Sequence, residues 1–221
     1  MKVALSWSGG KDSSLALFEV QNNPSKQVDL LFTTISQEYE RISMHGIRKE
    51  LLEEQANRLH IPLKTIKIPV NCSNEEYNAI MKREMSILRE EGFSAVVFGD
   101  IFLEDIRAYR ERNLSRVKMN AIFPLWNRNT DELAREFIDL GFEAIITCID
   151  SHFLEKSFIG RFFDYELLEE LPENVDPCGE KGEFHTFVFN GPNFKTIPFS
   201  KGQIKFERKR YYFIDLISGI K

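Results

Sequence analysis

The chain has 221 residues and a formal net charge of −5, with 43% hydrophobic and 12% aromatic residues. A chain of this length and composition can bury a sizeable core as one large domain or two unequal ones. The acidic balance and the lack of a long basic run argue against broad nucleic-acid affinity, although a local patch can still dock one folded RNA. No stretch approaches about eighteen apolar residues and the N-terminus enters a strand directly, so we expect a cytoplasmic protein with no membrane partner.

Strands alternate with helices through much of the chain, which predicts an α/β fold with a doubly wound, mostly parallel sheet covered on both faces. The predicted strands cover residues 2–7, 28–35, 63–68, 95–99 and 144–149. The predicted helices cover residues 14–20, 47–59, 75–91, 104–119 and 130–140. From about residue 171, prolines and glycines separate shorter β-rich runs such as 184–189 and 203–217. We therefore expect a nucleotide-binding domain at residues 1–128 and a smaller, mixed α/β, substrate-binding domain at residues 129–221.

A glycine-rich turn joins the first predicted strand to the first predicted helix, and it reads Ser8-Gly9-Gly10-Lys11-Asp12-Ser13. Two glycines allow backbone N–H groups to come close to an anion, and the helix N-terminus adds partial positive charge. The lysine supplies a full charge and the serines supply hydroxyl donors. A Walker A loop requires the spacing G-x-x-x-x-G-K-[ST], which this turn lacks. The turn therefore predicts a phosphate site that differs from that of P-loop kinases and GTPases.

Two further polar stretches follow in the first half of the chain. Residues 41–46 precede the second predicted helix and place His45 near its N-cap, where a histidine is also a common surface or capping residue. The stretch 98–111 begins at a strand end with Gly99 and Asp100 and continues into a charged helix. Because ligands of doubly wound sheets lie beyond the carboxyl ends of the strands, Asp100 and Glu104 are expected to face the same crevice as the glycine-rich turn.

A third stretch, residues 176–187, carries carboxylates and a histidine just before a predicted strand. Gly179 and Gly182 bracket part of it, and Glu180, Glu183 and His185 can gather donors and acceptors around a substrate or a metal. The same composition is also typical of a solvated hairpin loop. Taken alone, this stretch leaves both interpretations open.

Read together, these motifs resemble those of the diphthine-ammonia ligases and their bacterial relatives, a family within the N-type ATP pyrophosphatases. The matching segments are S-G-G-K-D-S at 8–13, S-M-H-G at 43–46, G-D-I at 99–101, E-D-I-R-A-Y-R-E at 104–111, F-P-L-W at 123–126 and G-E-K-G-E-F-H-T at 179–186. The resemblance covers nearly the whole chain. It implies the short, single-core form of the bacterial and archaeal members, with a HUP-like, Rossmann-like nucleotide domain of the adenine nucleotide alpha hydrolase type.

The resemblance also implies a reaction. Enzymes of this family activate a carboxylate with ATP as an acyl-adenylate, release pyrophosphate, and let ammonia displace AMP. The implied cofactors are ATP and Mg²⁺, and the implied partners are ammonia or ammonium and a carboxylate-bearing acceptor, with a translation elongation factor as one candidate. We further allow for a homodimer and do not expect nucleic acid as a partner.

This reaction suggests a role for each polar residue of the motifs. Nucleotide binding is assigned to Ser8, Gly9, Gly10, Lys11, Asp12, Ser13, His45 and Gly99, with the adenine near the strand 28–35. Mg²⁺ is assigned to Asp12 and Asp100, because a carboxylate or two with phosphate oxygens suits this ion. Catalysis is assigned to Asp12, Asp100, Glu183 and His185, the last two to deprotonate or orient ammonium. Acceptor binding is assigned to Glu104, Tyr109, Arg110, Gly179, Glu180, Gly182 and Thr186.

Two other functions remain open from the sequence. One is a tRNA-modifying ATP pyrophosphatase that adenylates a base. Such enzymes usually bring an RNA-binding domain or catalytic cysteines. Here the cysteines are far apart in sequence and form no C-x-x-C pair; they are Cys72, Cys148 and Cys178. The locally basic segment 201–210 is the feature that favours RNA, although charges also protect exposed strands. The other is a nonenzymatic ATP sensor, which would not need the motif at 179–186. Release of AMP and pyrophosphate would separate an enzyme from a sensor.

Overall fold

A parallel sheet of five strands forms the N-terminal half of the structure, a computed structural model that describes residues 2–23, 27–42 and 45–219. Its strands are β1 (Lys2–Ser6), β2 (Leu30–Ser36), β3 (Leu63–Ile68), β4 (Phe93–Val97) and β5 (Asn120–Ile122). They lie in the order β3-β2-β1-β4-β5, and every neighbouring pair is parallel. The predicted doubly wound, mostly parallel sheet is therefore confirmed, with its switch point between β1 and β4.

Helices cover both faces of this sheet. The helices α1 (Lys11–Gln21) and α2 (Lys49–Leu59) bury their apolar residues in one core, and α3 (Asn74–Glu90) and α4 (Glu104–Ser115) bury theirs in another. The start of α3 follows from a capping box, in which Ser73 and Glu76 satisfy each other's backbone N–H groups. Within the described part of the chain, no helix combines the length and the apolar character needed to cross a membrane.

Several predicted boundaries differ from the observed ones. The first helix begins at Lys11 instead of residue 14, because the glycine-rich turn leads into helical backbone at once. The predicted helix 104–119 is wrong at its C-terminal end, since α4 stops at Ser115 and the edge strand β5 follows. Lys118 has a φ of 58°, a left-handed conformation that a helix does not continue through.

The C-terminal half contains a second, antiparallel sheet of four strands in the order β7-β6-β9-β8. Its elements are α5 (Thr130–Asp139), β6 (Glu143–Asp150), α6 (Tyr165–Glu170), β7 (Phe184–Asn190), β8 (Phe199–Glu207) and β9 (Tyr211–Ser218). This mixed α/β composition is as predicted. Strand β6 is central and buried from Ala144 onward, whereas β8 is an exposed edge strand.

The two halves share a core on one face of the parallel sheet. Leu17 of α1 and Leu52 of α2 belong to the same buried cluster as Ile145 of β6 and Phe187 of β7. At the rim of this core, the backbone N–H of Val188 donates to the carbonyl of Gly9 at 2.9 Å. Strand β7 therefore runs directly beside the glycine-rich turn, which brings the stretch 176–187 to the carboxyl end of β1.

Candidate active site

Two adjoining cavities lie where β1 and β4 end. The larger has a volume of about 500 Å³ and the smaller about 240 Å³. Residues that line both cavities are Ser6, Ser8, His45, Phe98, Arg110 and His185. A pair of cavities at the switch point of a doubly wound sheet is the expected position of a ligand site in such folds.

The glycine-rich turn forms the floor of the smaller cavity. Gly9 has a φ of +74°, and a Cβ at this position would lie 2.6 Å from Cδ2 of Leu52. A Cβ on Gly10 would lie 2.9 Å from the carbonyl oxygen of Thr186. Gly10 is also the N-cap of α1 and has no side chain to cap the helix. The N–H of Lys11 already donates to the Thr186 hydroxyl, so the remaining N–H groups of the first turn are the ones suited to an anion, with the Ser8 hydroxyl beside them.

A buried glutamine that was not predicted from the sequence holds this turn in place. Gln55 of α2 is fully buried. Its Nε2 donates to the carbonyls of Gly9 at 3.0 Å and Val188 at 2.7 Å, and its Oε1 accepts from Nε1 of Trp7 at 2.9 Å. The available signal was a polar residue on the apolar face of an amphipathic helix, flanked by Leu52 and Ala56.

Lys11 turns away from solvent and into the C-terminal half. Its Nζ contacts the carbonyl of Cys178 and lies 2.7 Å from Oδ1 of Asp12, and only 4% of the residue is exposed. Burial lowers the pKa of Lys11, but Asp12 and other nearby anionic groups raise it more, so the net pKa is above its ordinary value. The ammonium group lines the smaller cavity as a fixed positive charge that protein oxygens already contact.

The two predicted metal ligands, Asp12 and Asp100, come together at the smaller cavity. A Cβ on Gly99 would lie 2.8 Å from the carbonyl carbon of Asp12, so the end of β4 touches the start of α1. Asp100 forms an ion pair with Arg110, whose NH2 group donates to Oδ1 at 3.1 Å and whose Nε lies 2.7 Å from Oδ2 without hydrogen-bond geometry.

Glu180 is a third carboxylate at this cavity. Its Oε1 accepts from the backbone N–H of Ile101 at 2.8 Å, which ties the stretch 176–187 to the end of β4. The pKa of Glu180 is raised to about 7, mainly by burial and to a lesser extent by the neighbouring Asp12 and Asp100. The Ile101 hydrogen bond and Lys11 oppose this rise. Burial likewise raises the pKa of Asp12, although Lys11 lowers it. The cavity is thus lined by three carboxylates and by two cations, Lys11 and Arg110.

The carboxylates of the smaller cavity can be compared with the ligands that Mg²⁺ requires. Within the described residues, no group of three or more His, Cys, Asp and Glu side chains is arranged as a complete metal site. Mg²⁺ is commonly held by one or two carboxylates together with substrate phosphates and water. Asp12 and Asp100 beside a helix N-terminus suited to phosphates fit that mode of binding, and a protein-only metal cage does not.

His45 and His185 form a pair of stacked imidazoles on the wall shared by the cavities. Their ring centroids are 4.5 Å apart at an interplanar angle of 34°. Nδ1 of His45 lies 3.3 Å from the carbonyl oxygen of Thr186. Burial lowers the pKa of His45 to about 4. Burial, with smaller effects of His45 and Lys11, also lowers the pKa of His185 well below its ordinary value. Ser43 and Met44 of the predicted S-M-H-G motif lie outside the described residues.

Glu183 is not at the cavities. It is fully buried and lines neither of them, and its Oε1 accepts from the backbone N–H of Asp176 at 3.0 Å. Oδ1 of Asp176 in turn accepts from the N–H groups of Cys178 at 2.9 Å and Glu180 at 3.2 Å. Glu183 therefore anchors the loop that presents Glu180, and the structure does not bring Glu183 and His185 together at the cavity wall.

The remaining predicted residues divide into two groups. Thr186 and Gly179 line the smaller cavity, and Tyr109 lines the larger one, where its hydroxyl donates to Oδ1 of Asn78. Gly182 and Glu104 line neither cavity, and Glu104 is exposed in the first turn of α4. Ser13 is buried at the turn with its hydroxyl 3.1 Å from that of Ser8.

The adenine was expected near the strand 28–35, but the contribution of α3 and α4 to the larger cavity was not predicted from the sequence. Polar residues of β2, α3, α4 and the C-cap of α4 line this cavity, and they are Thr33, Thr34, Tyr77, Asn78, Lys82, Asn113 and Arg116. No Asp or Glu is among the described residues that line this cavity. On the sequence these side chains look like the solvated face of two amphipathic helices, so only the approach of α3 and α4 identifies them.

Comparison with known proteins gives consistent matches. The diphthamide synthase N-terminal domain matches residues 1–121, and the diphthamide synthase C-terminal domain matches residues 129–218. The chain is similar to the diphthine--ammonia ligase of Rattus norvegicus, with 27% identity over 88% of this chain and 81% of the relative. The same enzyme of Mus musculus is 25% identical over the same shares. A solved U34-tRNA thiolase of Methanococcus maripaludis is 19% identical over 64% of this chain and 58% of its own. Its TM-score to this chain is 0.37.

Proposed function

This chain belongs to the diphthamide synthase family, and from that premise we propose that it is an ATP-dependent ligase that joins ammonia to a carboxylate. The strongest support is the meeting of the two cavities at Ser8, His45 and His185. One cavity has the electrostatics of a phosphate site and the other has room for a nucleoside. The bond to be broken in ATP would lie where they meet.

We assign the phosphates of ATP to the smaller cavity and its adenosine to the larger one. The N-terminus of α1 supplies backbone N–H donors, beyond that of Lys11, for the β- and γ-phosphates. The larger cavity offers Thr33 and Thr34 of β2 for the base, in line with the expected position of the adenine. This placement puts the α-phosphate at the junction, beside His185.

In the adenylation step, a carboxylate oxygen of the acceptor attacks the α-phosphorus, and the bond to the bridging oxygen of pyrophosphate breaks. The N–H groups of the turn and the hydroxyls of Ser8 and Ser13 would stabilise the charge that develops on the leaving group. Mg²⁺, held by Asp12 and Asp100, would neutralise part of that charge. Arg110 keeps the Asp100 carboxylate oriented toward the cavity.

In the second step, the nitrogen of ammonia attacks the acyl carbon and the bond to the AMP oxygen breaks. An acceptor that brings its own negative charge would reach the junction beside the adenosine, where no described residue that lines the larger cavity is acidic. Glu183 contributes to this step by anchoring the loop at Asp176. A diphthine-bearing elongation factor is the leading candidate for the acceptor. The acceptor, the homodimer, the cytoplasmic location and the domain boundary at residue 128 stay predictions.

The direct test is a measurement of AMP and pyrophosphate release from ATP and ammonium chloride. Diphthine-bearing elongation factor 2 and, separately, bulk tRNA serve as acceptors. We expect release that requires both ammonium and the protein acceptor, and its loss in Asp12→Ala with an unchanged fold. Release that depends on tRNA would replace the amide ligase by a base-modifying enzyme. ATP binding without any release in either mixture would favour a sensor.

A further inference from the structure

We propose that His45 and His185 together form the binding site for the ammonia nucleophile and take it up as neutral NH₃. This inference rests on the proposed function, whose acyl-adenylate would form at the junction of the two cavities. It adds a residue, His45, to the chemistry of the amide-forming step and removes Glu183 from direct contact with the nucleophile.

The geometry leaves imidazole nitrogens of both rings without protein partners. The carbonyl of Thr186 can only accept, so the contact at 3.3 Å places the ring proton of His45 on Nδ1 and leaves Nε2 as an acceptor. No hydrogen bond joins Nε2 of His45 to another described residue. Nε2 of His185 is shielded from solvent and has no partner among the described residues. Shielded polar nitrogens of this kind are expected to meet a ligand.

The position of the pair suits the second step of the reaction. The rings come from the segment before α2 and from β7, and their centroids are 4.5 Å apart on the wall that both cavities share. A nucleophile held there would approach an acyl group on the α-phosphate without crossing the pyrophosphate site. Holding it in place supplies much of what an amide-forming step needs.

The charges around the pair favour NH₃ over ammonium. The ammonium group of Lys11 lies close enough to lower the pKa of both rings, and burial lowers it more, so both imidazoles stay neutral. Arg110 is a second cation on the same wall. Of the carboxylates at the smaller cavity, Asp12 and Asp100 are engaged by Lys11 and Arg110, and Glu180 accepts from the Ile101 N–H with its pKa raised to about 7. A small neutral donor is therefore preferred to a second cation at this position.

The amide-forming step begins when ammonium leaves one proton in solvent and enters the site as NH₃. Two N–H groups of this NH₃ then donate to the imidazole nitrogens. The lone pair of the nitrogen then forms the bond to the acyl carbon, and the bond from that carbon to the AMP oxygen breaks. The new C–N group releases one proton, which a neutral imidazole accepts and passes to water.

A binding experiment on the full chain tests the site without any acceptor. The imidazole resonances of protein labelled with ¹⁵N-histidine are followed by NMR while ammonium chloride is added, with potassium chloride as the control. We expect ammonium-induced shifts of the His45 and His185 resonances that grow with pH as the fraction of free NH₃ increases. At each pH, ammonium should leave the His60 and His152 resonances unchanged. Absence of any shift of His45 and His185 would overturn the proposal, whatever the outcome of the AMP assay.

Kinetics of His45→Gln and His185→Gln provide the second test, with diphthine-bearing elongation factor 2 as acceptor. Each should raise the KM for ammonium about tenfold or more, as the loss of one hydrogen bond in a shielded site predicts, with ATP affinity unchanged. Hydroxylamine, a neutral and stronger nucleophile, should restore most of the turnover. The matched control is His152→Gln, because the His152 side chain is 65% exposed and lines neither cavity. A loss of ATP affinity in both variants with an unchanged KM for ammonium would assign the pair to the nucleotide and refute the ammonia site.

Discussion

The backbone N–H of Lys11 donates to the hydroxyl of Thr186 at 3.0 Å, across 175 residues of sequence. The first residue of α1 is thereby fixed to β7, and the glycine-rich turn is held from one side by α2 and from the other by the second sheet. Residues from both halves of the chain therefore hold this turn in place.

Replacement of Thr186 by valine should weaken this junction. Thr186→Val keeps the shape of a side chain that is only 3% exposed but removes the acceptor of the Lys11 N–H. We expect a loss of about 1–2 kcal/mol in the free energy of unfolding and weaker ATP binding, because a buried donor is left unpaired. Urea unfolding and calorimetric titration with ATP measure the two effects. Thr196→Val is the control, since its hydroxyl bond to Asn190 is exposed; an equal loss in both variants would contradict the prediction.

A side chain at Gly99 should disturb the site from the end of β4. The added Cβ of Gly99→Ala would lie 2.8 Å from the carbonyl carbon of Asp12, which is backbone and cannot rotate away. We expect the start of α1 to shift, at a cost of about 1–3 kcal/mol in stability and with strongly reduced pyrophosphate release. Gly99 is not among the glycines with a positive φ, so this substitution tests the contact and not backbone strain. Normal turnover in Gly99→Ala would show that the contact is not needed.

The ion pairs of Asp215 should make stability depend on pH. Hydrogen bonds from Arg48, and then from Arg41, hold the pKa of Asp215 far below its ordinary value despite partial burial. A depressed carboxyl pKa stabilises the fold above the unfolded pKa of about 4, and this stabilisation disappears as pH falls toward the folded pKa. Asp215→Asn should therefore cost about 1–3 kcal/mol at pH 7 and progressively less below about pH 4.

Denaturant unfolding of wild type and Asp215→Asn between pH 3 and 7 measures this dependence. The two arginines flank His45 in sequence, so the variant should also raise the KM for ammonium or ATP through the position of that loop. Glu170→Gln is the matched control, because the Glu170 side chain is 51% exposed in its pair with Arg161. A stability difference that stays constant down to pH 3 would argue against the ion pairs as its source.

Glu183 offers a test between structure and chemistry. Glu183→Gln retains an oxygen that can accept from the N–H of Asp176, whereas Glu183→Ala removes it from a fully buried position. We expect near-normal amide formation in the glutamine variant. The alanine variant should lose about 2–4 kcal/mol of stability together with activity. Thermal unfolding and AMP release separate the two. A glutamine variant with wild-type stability and no amide formation would return Glu183 to a direct role in the reaction.

Local patterns were sufficient to predict that the glycine-rich turn and Asp100 share one crevice. The glycine-rich turn at 8–13 is contiguous in sequence, so its pattern could be recognised locally, although Gln55 and β7 hold it in place. Asp100 was expected at the crevice because it follows a strand that ends at the same edge of a parallel sheet as β1, and it does line the smaller cavity with Asp12. The alternation of strands and helices predicted the parallel sheet for a similar reason, since periodicity is set within each element.

The tertiary structure decided how the polar residues of the remaining motifs are used. Glu183 and His185 are two residues apart, yet one is buried under the loop and the other faces the cavities. Gln55 looked like an ordinary helix residue and instead holds Gly9, and His45 meets His185 across 140 residues of sequence. Burial and hydrogen-bond partners depend on which elements pack together, and for these side chains the partners come from distant parts of the chain. The amino-acid sequence therefore determined most of the elements and the glycine-rich motif by itself, and only the packing of β7 against α1 and α2 decided which side chains share the site.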